Sequence, residues 1–314
     1  MSLLITGGAG FIGSHLIEKM LSMGYKVIGI DNYDPFYSRR IKEMNVSIFK
    51  HDKNLQFYEL DIFDKNSLEN VFRTNNIEVV IHLAAKAGVR PSIKDPLGYY
   101  NTNVIGTLNV LEAMKENGCK KMIFASSSSV YGNNKKLPFS EDDNVDCPIS
   151  PYAATKKAGE LLCYTYHHLY NFDIFCLRFF TVYGPRQRPD LAIHKFARLI
   201  IEGKPIPFYG DGSSERDYTY IDDLIDGILG AIKNLKGYDI FNLGESNAIS
   251  LSKMVTTLEN TIGKKAILNN LPPQSGDVDK TFADISKAKE KLGYNPKYSF
   301  ENGVSNFINW LSLK

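Results

Sequence analysis

Hydrophobic residues in the first two-thirds of the chain alternate between two patterns. Short continuous apolar runs, such as Leu3 to Ile5 and Val79 to Leu83, are typical of buried strands. Similar runs lie at residues 26–30, 55–60 and 121–125, and the segments between them carry apolar residues at helical spacing. Strands that alternate with helices form parallel sheets covered on both faces. We therefore predict an α/β fold with a doubly wound parallel sheet.

The turn after the first strand has three regularly spaced glycines. The run Gly7-x-x-Gly10-x-x-Gly13 follows the strand and opens a helix that begins with Phe11 and Ile12. A tight turn, a close approach to a phosphate and close helix-on-strand packing all exclude a Cβ. The N–H groups and the positive dipole end of the new helix favour a pyrophosphate. The turn therefore predicts a dinucleotide site.

Acidic residues at the ends of the next two strands define the predicted cofactor further. The second strand ends in Asp31-Asn32, where a carboxylate hydrogen-bonds an adenosine ribose and repels a 2′-phosphate, so NAD is predicted. The third ends in Asp61-Ile62, which we place beside the adenine ring. An isolated Asp after a strand is more often a helix N-cap, so this role rests on its position in the series. The polar stretch 33–54 is predicted to be a surface insertion with one short helix.

Charge and composition exclude several classes of protein. The 314-residue chain has a formal net charge of +2 and no basic block, which argues against a nucleic-acid partner. Its four cysteines lack a C-x-x-C spacing, so neither a zinc site nor a disulfide framework is predicted. The first strand starts within a few residues of Met1 and no apolar run is long enough to span a bilayer. We expect a cytoplasmic protein without a signal peptide or membrane contact.

The fifth strand and a later helix carry the candidate catalytic chemistry. The strand runs into four serines, residues 126–129, and Tyr152 follows with Lys156 four residues after it. Residues i and i+4 share one face of a helix, so the ammonium is predicted to lie beside the phenol and lower the pKa of Tyr152. Tyr152 would then be a general base near neutral pH. His82, inside an apolar run, is interpreted as a packed core histidine.

Two long helices are predicted at residues 96–118 and 151–170. Helices of this length on one edge of a sheet can pack against their copies in a second subunit as a four-helix bundle. A homodimer is therefore the prediction, and the alternative is that both helices only cover the sheet.

Together these motifs resemble the extended short-chain dehydrogenases/reductases of the nucleotide-sugar epimerase and dehydratase group. The match includes Thr6 to Gly13, His82 to Ala85, the serines before Val130-Tyr131-Gly132, the Tyr152-x-x-x-Lys156 pair and Arg216-Asp217-Tyr218. The resemblance implies an NAD-binding Rossmann domain at 1–180, with elements returning around 219–243. A smaller α/β lobe at 181–314, discontinuous, is implied to bind a UDP-sugar.

The resemblance also implies individual site residues. Ser127, Tyr152 and Lys156 are the implied catalytic residues, with Ser126 and Ser128 as less favoured alternatives to Ser127. The implied cofactor-binding residues are Gly7, Gly10, Phe11, Ile12, Gly13, Asp31, Asn32, Asp61, Ile62, Leu83, Ala84, Ala85, Lys86, Asn103, Tyr152, Lys156 and Phe180. The implied substrate-binding residues are Arg90, Ser127, Ser128, Ser129, Thr181, Arg186, Arg188, Arg216 and Asp277. No metal is implied.

The loop at residues 179–190 indicates which UDP-sugar the resemblance implies as the substrate. It is similar to the loop of epimerases that act on UDP-glucuronate, and Arg188 is the candidate partner of a uronic acid carboxylate, since a guanidinium binds a carboxylate through two parallel hydrogen bonds. Decarboxylases of the group typically have Glu where Ser129 stands and lack an equivalent of Arg188. Dehydratases carry an Asp-Glu pair where this chain has Ser128-Ser129. Arg216 is the implied diphosphate partner, and Asp277 is implied to face the ribose.

The implied activity is NAD-dependent C4 epimerisation of a UDP-uronic acid, from UDP-glucuronate to UDP-galacturonate, through a transient 4-keto sugar. The alternatives are decarboxylation of UDP-glucuronate and epimerisation of a neutral UDP-hexose. A non-catalytic NAD-binding sensor is the alternative of another class. The complete set of Ser127, Tyr152 and Lys156 argues against the sensor, because a binder needs no tuned phenol.

Overall fold

The computed structural model describes residues 1–272 and 280–313, and these form two compact units. The first unit comprises Met1–Gly132, Asp143–Arg178 and Ile228–Phe241, and the second comprises Asn133–Asp142, Phe179–Gly227 and Asn242–Lys314. The domain boundary that the sequence analysis places at residue 180, with its NAD-binding and sugar-binding sides, stays a prediction.

The strands and helices follow the alternation that the hydrophobic pattern predicts. The strands are β1 Ser2–Thr6, β2 Lys26–Asp31, β3 Leu55–Glu59, β4 Val79–His82, β5 Lys121–Ser127, β6 Asp173–Phe179, β7 Thr181–Tyr183, β8 Pro205–Tyr209, β9 Glu215–Tyr220, β10 Tyr238–Leu243, β11 Ala248–Ser250 and β12 Ile267–Leu271. The helices are α1 Phe11–Ser22, α2 Arg39–Ser47, α3 Lys65–Thr74, α4 Val89–Lys94, α5 Pro96–Tyr100, α6 Gly106–Glu116, α7 Pro151–Tyr170, α8 Ala192–Ile201, α9 Ile221–Asn234, α10 Leu251–Ile262, α11 Ser286–Leu292 and α12 Phe300–Ser312.

A seven-stranded sheet forms the centre of the first unit. Its order is β10-β6-β5-β4-β1-β2-β3, and the pairs from β5 through β4, β1 and β2 to β3 are parallel. The order reverses beside β1, so the carboxyl ends of β1 and β4 lie at a switch point, where sheets of this type bind ligands. The doubly wound α/β prediction is confirmed.

The sheet is buried because its strands are apolar along their whole length. Leu3, Leu4, Ile5, Val80 and Ile81 all have an exposed fraction of 0%. Residues from α3, α6 and α7 pack on one of its faces as a single apolar cluster that includes Leu68, Leu111 and Cys163. This packing fixes where the strand ends lie.

The second unit contains two small sheets. In the first, β9 pairs in parallel with β7 and antiparallel with β11. In the second, β8 and β12 pair in parallel. The candidate sugar-binding residues Thr181 and Arg216 therefore lie on short strands, β7 and β9, and not on the large sheet.

Two predicted segments differ from the observed structure. The helix predicted at 96–118 is divided into α5, a π-helical turn at Asn101–Ile105, and α6. The stretch 33–54 contains one short helix as predicted, but α2 is not purely a surface element, because Lys42, Asn45 and Val46 are buried. Within the described residues, no helix is long and apolar enough to cross a membrane.

Candidate active site

The glycine-rich turn between β1 and α1 leaves no room for side chains at two of its positions. Gly7 has φ of 73°, and a Cβ there would lie 2.9 Å from the backbone nitrogen of Ala84. A Cβ on Gly13 would overlap the carbonyl oxygen of Gly7. The turn therefore packs closely on both the start of α1 and the segment after β4. This shape fits a dinucleotide phosphate.

Asp31 lies at the end of β2 beside this turn. Its carboxylate accepts hydrogen bonds from the backbone N–H groups of Ala9, at 3.1 Å, and Tyr33, at 2.8 Å. The neighbouring Asn32 donates to the Asp61 carboxylate at 2.7 Å. The predicted ribose and adenine positions are thus connected through one side-chain hydrogen bond. The N-cap of α3 is Asp64 and not Asp61, so Asp61 does not have the capping role that was the alternative.

Sequence reasoning missed two buried polar residues on α2. The Lys42 ammonium lies 3.5 Å from the Asp31 carboxylate, and the Asn45 amide donates to the carbonyl oxygen of Ala9 at 3.1 Å. Both side chains are buried. Lys42, Asn45 and Val46 are spaced so that they share one face of the helix. This helical spacing is the sequence signal that would have indicated their burial. We add Lys42 and Asn45 to the residues that shape the cofactor turn.

Asn103 connects the segment after β4 to the helix α7. Its side chain is buried in the π-helical turn, accepts from the Lys86 N–H at 2.8 Å, and donates to the Lys86 carbonyl at 2.9 Å and to Thr155 Oγ1 at 3.0 Å. π-Helical turns occur frequently at functional sites. The Lys86 ammonium pairs with Asp95 at 2.9 Å.

His82 is completely enclosed at the end of β4. Its ring nitrogens lie 2.7 Å from Thr6 Oγ1 and 3.0 Å from Thr107 Oγ1. Burial, with a smaller contribution from the Lys156 charge, lowers the pKa of His82 to about 3. A neutral imidazole with both nitrogens in hydrogen bonds is suited to packing and not to proton transfer.

The candidate catalytic helix is α7, which begins after the N-cap Ser150 and has Pro151 in its first turn. Lys156 is buried, and its ammonium donates to the Ala125 carbonyl of β5 at 2.7 Å. Burial lowers the pKa of Lys156 to about 8. The Tyr152 ring packs edge-on against Tyr99, with ring centres 6.2 Å apart. The structure thus connects α7 to the strand that ends in the serines.

The serines at the end of β5 have different partners. Ser126 donates to the Glu160 carboxylate at 2.6 Å. Ser127 accepts from the Ser129 N–H at 3.2 Å and caps the short 3-10 turn Ser128–Tyr131. The Ser126 hydroxyl is therefore used inside the core, which favours Ser127 as the catalytic serine.

The loop after β7 has an unusual backbone. Arg186 is buried and has φ of 63°, a left-handed conformation that non-glycine residues adopt at a cost. Gln187 is also buried and donates to the Val182 carbonyl at 3.1 Å. Its Oε1 is one of three buried side-chain atoms without a hydrogen-bond partner within residues 1–272 and 280–313. Strain and unsatisfied polar atoms of this kind concentrate at ligand sites.

Arg188 follows in the same loop and already holds a carboxylate. Its Nε and Nη2 donate to the two oxygens of Asp190 at 3.0 and 2.7 Å. The Arg188 side chain is 17% exposed. Two parallel hydrogen bonds to one carboxylate are the geometry that the sequence predicts for a uronic acid.

Arg216 lies on β9 and Asp217 is buried next to it. Arg216 donates through Nη1 to the carbonyl of Glu215 at 2.8 Å. Asp217 accepts from the N–H groups of Glu245, Ser246 and Ala283 at 2.8, 3.1 and 3.0 Å. Asp217 therefore ties β9 to two separate segments of the second unit and holds the strand that carries Arg216.

The predicted site residues divide between the two units. Those in the first unit are Gly7, Gly10, Phe11, Ile12, Gly13, Asp31, Asn32, Asp61, Ile62, Leu83, Ala84, Ala85, Lys86, Arg90, Asn103, Ser127, Ser128, Ser129, Tyr152 and Lys156. Those in the second unit are Phe180, Thr181, Arg186, Arg188 and Arg216. Asp277 lies outside the described residues. In the part of the chain that is described, no group of three or more His, Cys, Asp and Glu side chains is arranged to hold a metal ion.

Two buried carboxyl groups in the second unit should make the free energy of unfolding depend on pH. Burial raises the pKa of Asp217 to about 6 and raises that of Glu245, which is close to Asp223 and Asp217. The folded state then binds more protons than the unfolded state, whose carboxyl groups ionise near 4, so the free energy of unfolding falls as pH rises from about 4 through the raised values.

We expect Glu245→Gln to remove part of this loss. The amide retains an acceptor for the Tyr220 N–H, which Glu245 binds at 3.1 Å, and has no charge to bury. Relative to the parent, the variant should gain more than about 1 kcal/mol of unfolding free energy between pH 5 and pH 8. Urea unfolding across this range measures the difference, and parallel curves for the two proteins would contradict the prediction.

Known proteins match this chain over almost its full length. The sequence profile of the family described as GDP-mannose 4,6 dehydratase matches residues 4–307. A UDP-glucuronate 4-epimerase from Thermodesulfobacterium geofontis is 48% identical over 308 residues, which cover 98% of this chain and 95% of that protein.

Solved structures match the fold over its full length. The UDP-glucuronic acid 4-epimerase of Bacillus cereus, solved with UDP-glucuronic acid and NAD, superposes with a TM-score of 0.94 at 39% identity and covers 100% of this chain and 99% of that one. The UDP-glucose 4-epimerase of Thermotoga maritima, solved with UDP-glucose, gives a TM-score of 0.92 at 35% identity, with coverage of 100% and 99%.

Proposed function

Because the chain belongs to the GDP-mannose 4,6 dehydratase family of extended short-chain dehydrogenases/reductases, we propose that it is a nucleotide-sugar 4-epimerase that interconverts UDP-glucuronate and UDP-galacturonate with bound NAD. The observation that carries the proposal is that Tyr152 and Lys156 lie four residues apart on α7 and that the buried Lys156 ammonium donates to Ala125 on the strand that ends in the serines. The full-length similarity to UDP-glucuronate 4-epimerases supplies the substrate.

The glycine turn and Asp31 fit NAD. A turn that excludes a Cβ at Gly7 and Gly13 accepts a pyrophosphate, and the Asp31 carboxylate suits a ribose with a free 2′-hydroxyl. Bound there, NAD would supply the hydride acceptor and donor for C4 of the sugar. Because the reaction has no net redox change, we expect the cofactor to stay bound through the cycle.

The chain's own residues handle the proton and the sugar oxygen. Tyr152 removes the proton of the 4-hydroxyl and returns it after the sugar has turned its other face. The Lys156 ammonium stabilises the Tyr152 phenolate, and the Ser127 hydroxyl donates to the same sugar oxygen. Turning of the 4-keto sugar between the two proton transfers would invert the configuration at C4.

Arg188 is the proposed partner of the uronic acid carboxylate. Its guanidinium donates to both oxygens of the Asp190 carboxylate through Nε and Nη2. Thr181 on β7 precedes the same loop, and its hydroxyl is the proposed second donor to the substrate carboxylate. Because Asp190 is an internal anion on this guanidinium, a substrate carboxylate has to share or replace that pairing. Arg216 on β9 is the proposed partner of the diphosphate.

NMR of the purified protein with UDP-glucuronate and no added cofactor tests the function. The expected result is the appearance of anomeric signals of UDP-galacturonate that approach a fixed ratio. Dominant UDP-xylose or a 4-keto pentose would establish a decarboxylase. Turnover only of neutral UDP-hexoses would establish the other alternative, and no turnover after NAD is supplied would favour a sensor.

We also propose a homodimer formed through α5, the π-helical turn and α7. Large apolar side chains are exposed along these helices: Leu97 is 71% exposed, Leu161 56% and Leu169 57%. Leu161 and Leu169 lie on one stripe of α7 by their spacing of eight residues. Apolar stripes of this kind become buried when two copies pack as a four-helix bundle. The cytoplasmic location remains a prediction.

The variant L161E/L169E should convert the dimer to a monomer, because four carboxylates would be buried at the interface without partners. Size-exclusion chromatography with light scattering measures the mass. Leu268→Glu on β12, where Leu268 is 45% exposed, is the matched control and should leave the mass unchanged. A parent protein that is already monomeric would contradict the proposal.

A further inference from the structure

A buried ion pair between Glu160 on α7 and Arg178 on β6 contacts Ser126, the residue before Ser127 on β5. The Glu160 carboxylate accepts from Arg178 Nε and Nη2, both at 2.9 Å, and from Ser126 Oγ at 2.6 Å. Glu160 and Arg178 are each 1% exposed. Their charges and hydrogen bonds are therefore satisfied within the first unit.

This ion pair joins the segments that carry the candidate catalytic residues. Glu160 lies one turn after Lys156 on α7, and Arg178 lies on β6. Arg178 Nη1 donates to the Tyr131 hydroxyl at 3.0 Å, and Tyr131 ends the 3-10 turn that Ser127 caps. Lys156 donates to the carbonyl of Ala125, which precedes Ser126. Through these hydrogen bonds, Glu160 and Arg178 connect α7 to β6 and to the end of β5, where the serines lie.

Stability alone gives little reason for two charges in this position. Desolvation of a buried pair offsets most of its attraction, and apolar residues of similar volume are often equally stable or better. A network of several hydrogen bonds, in contrast, restricts each side chain in it to one position.

We propose that Glu160 and Arg178 are positioning residues that hold Ser127 and Lys156 in their working arrangement, an inference that rests on the proposed epimerase function. Neither residue touches the substrate in this role. Their effect reaches the reaction through Ser126 and Tyr131, whose hydroxyls they hydrogen-bond.

The double variant E160M/R178M separates positioning from stability. We expect it to unfold in urea at the parent's midpoint or higher and to retain NAD. Its kcat for UDP-glucuronate should fall on the order of 10²-fold, the cost of a displacement near 1 Å in an active site, while KM stays within about 3-fold. Parent-like kcat in the folded double variant would overturn the inference.

Two further variants complete the experiment. Ile174→Val on β6, in the apolar core, should lower the urea midpoint and leave kcat unchanged, since it alters packing alone. Tyr131→Phe removes the hydroxyl that accepts from Arg178 and should lower kcat about 10-fold. If E160M/R178M does not fold, Tyr131→Phe decides, and an unchanged kcat there overturns the inference. An inactive parent would refute the proposed function instead.

Discussion

Tyr152→Phe is expected to lower kcat for UDP-glucuronate by about 10³-fold, because general acid–base groups contribute factors of this size. The phenylalanine has no hydroxyl to take the proton from the sugar. Its ring retains the edge-on contact with Tyr99, so the fold and NAD content should not change. Product formation by NMR or coupled chromatography, with substrate affinity by calorimetry, measures the effect.

A tyrosine elsewhere on the same helix is the control for Tyr152→Phe. Tyr170 is the last residue of α7 and is 37% exposed. Tyr170→Phe should retain parent kcat, since it removes a hydroxyl of the same kind at a distance from the serine strand. If Tyr152→Phe epimerised UDP-glucuronate at a rate close to the parent's, Tyr152 would not be the base.

Arg188→Ala is expected to raise KM for UDP-glucuronate by about 10- to 100-fold, since hydrogen bonds to charged groups contribute about 1.5–3 kcal/mol. The loss should be absent for a neutral UDP-hexose, which has no carboxylate to bind. Initial rates with both substrates measure the split.

Arg188→Ala should also release decarboxylated product. The 4-keto uronic acid is a β-keto acid, which loses carbon dioxide when the C5–carboxyl bond stands perpendicular to the carbonyl plane. A guanidinium that holds the carboxylate keeps this bond away from that angle, so its removal should give decarboxylated product detectable by NMR. This product is UDP-xylose where hydride returns to C4, or UDP-4-keto-pentose with one cofactor left reduced for each molecule released.

The comparison for Arg188→Ala is an exposed arginine in the same unit. Arg198 on α8 pairs with Glu202 at 3.5 Å and is 55% exposed. Arg198→Ala should bind and turn over UDP-glucuronate like the parent. Parent-like affinity and clean epimerisation by Arg188→Ala would assign carboxylate recognition to another residue.

Local patterns along the chain predicted the architecture and the order of the candidate motifs. Continuous apolar runs become strands, and the glycine spacing after the first strand specifies a turn because the clashes that exclude a Cβ at Gly13 arise within the turn itself. The spacing of Tyr152 and Lys156 places both on one helix face for the same local reason. These features could be inferred because they depend on neighbours in sequence.

Long-range contacts decided the features that the sequence left open or missed. One such contact is that of Ser126 with Glu160, 34 residues later, on which the proposed preference for Ser127 rests. Lys42, on a helix predicted to be part of a surface insertion, is buried beside Asp31. The Arg178–Glu160 pair is visible only when β6 and α7 lie side by side. The α/β fold and the order of its motifs could be inferred from the chain alone, because backbone sterics and side-chain periodicity act over a few residues. Which polar groups are buried together became clear only in the folded protein, since a buried charge or hydroxyl takes its partner from whichever strand or helix packs against it.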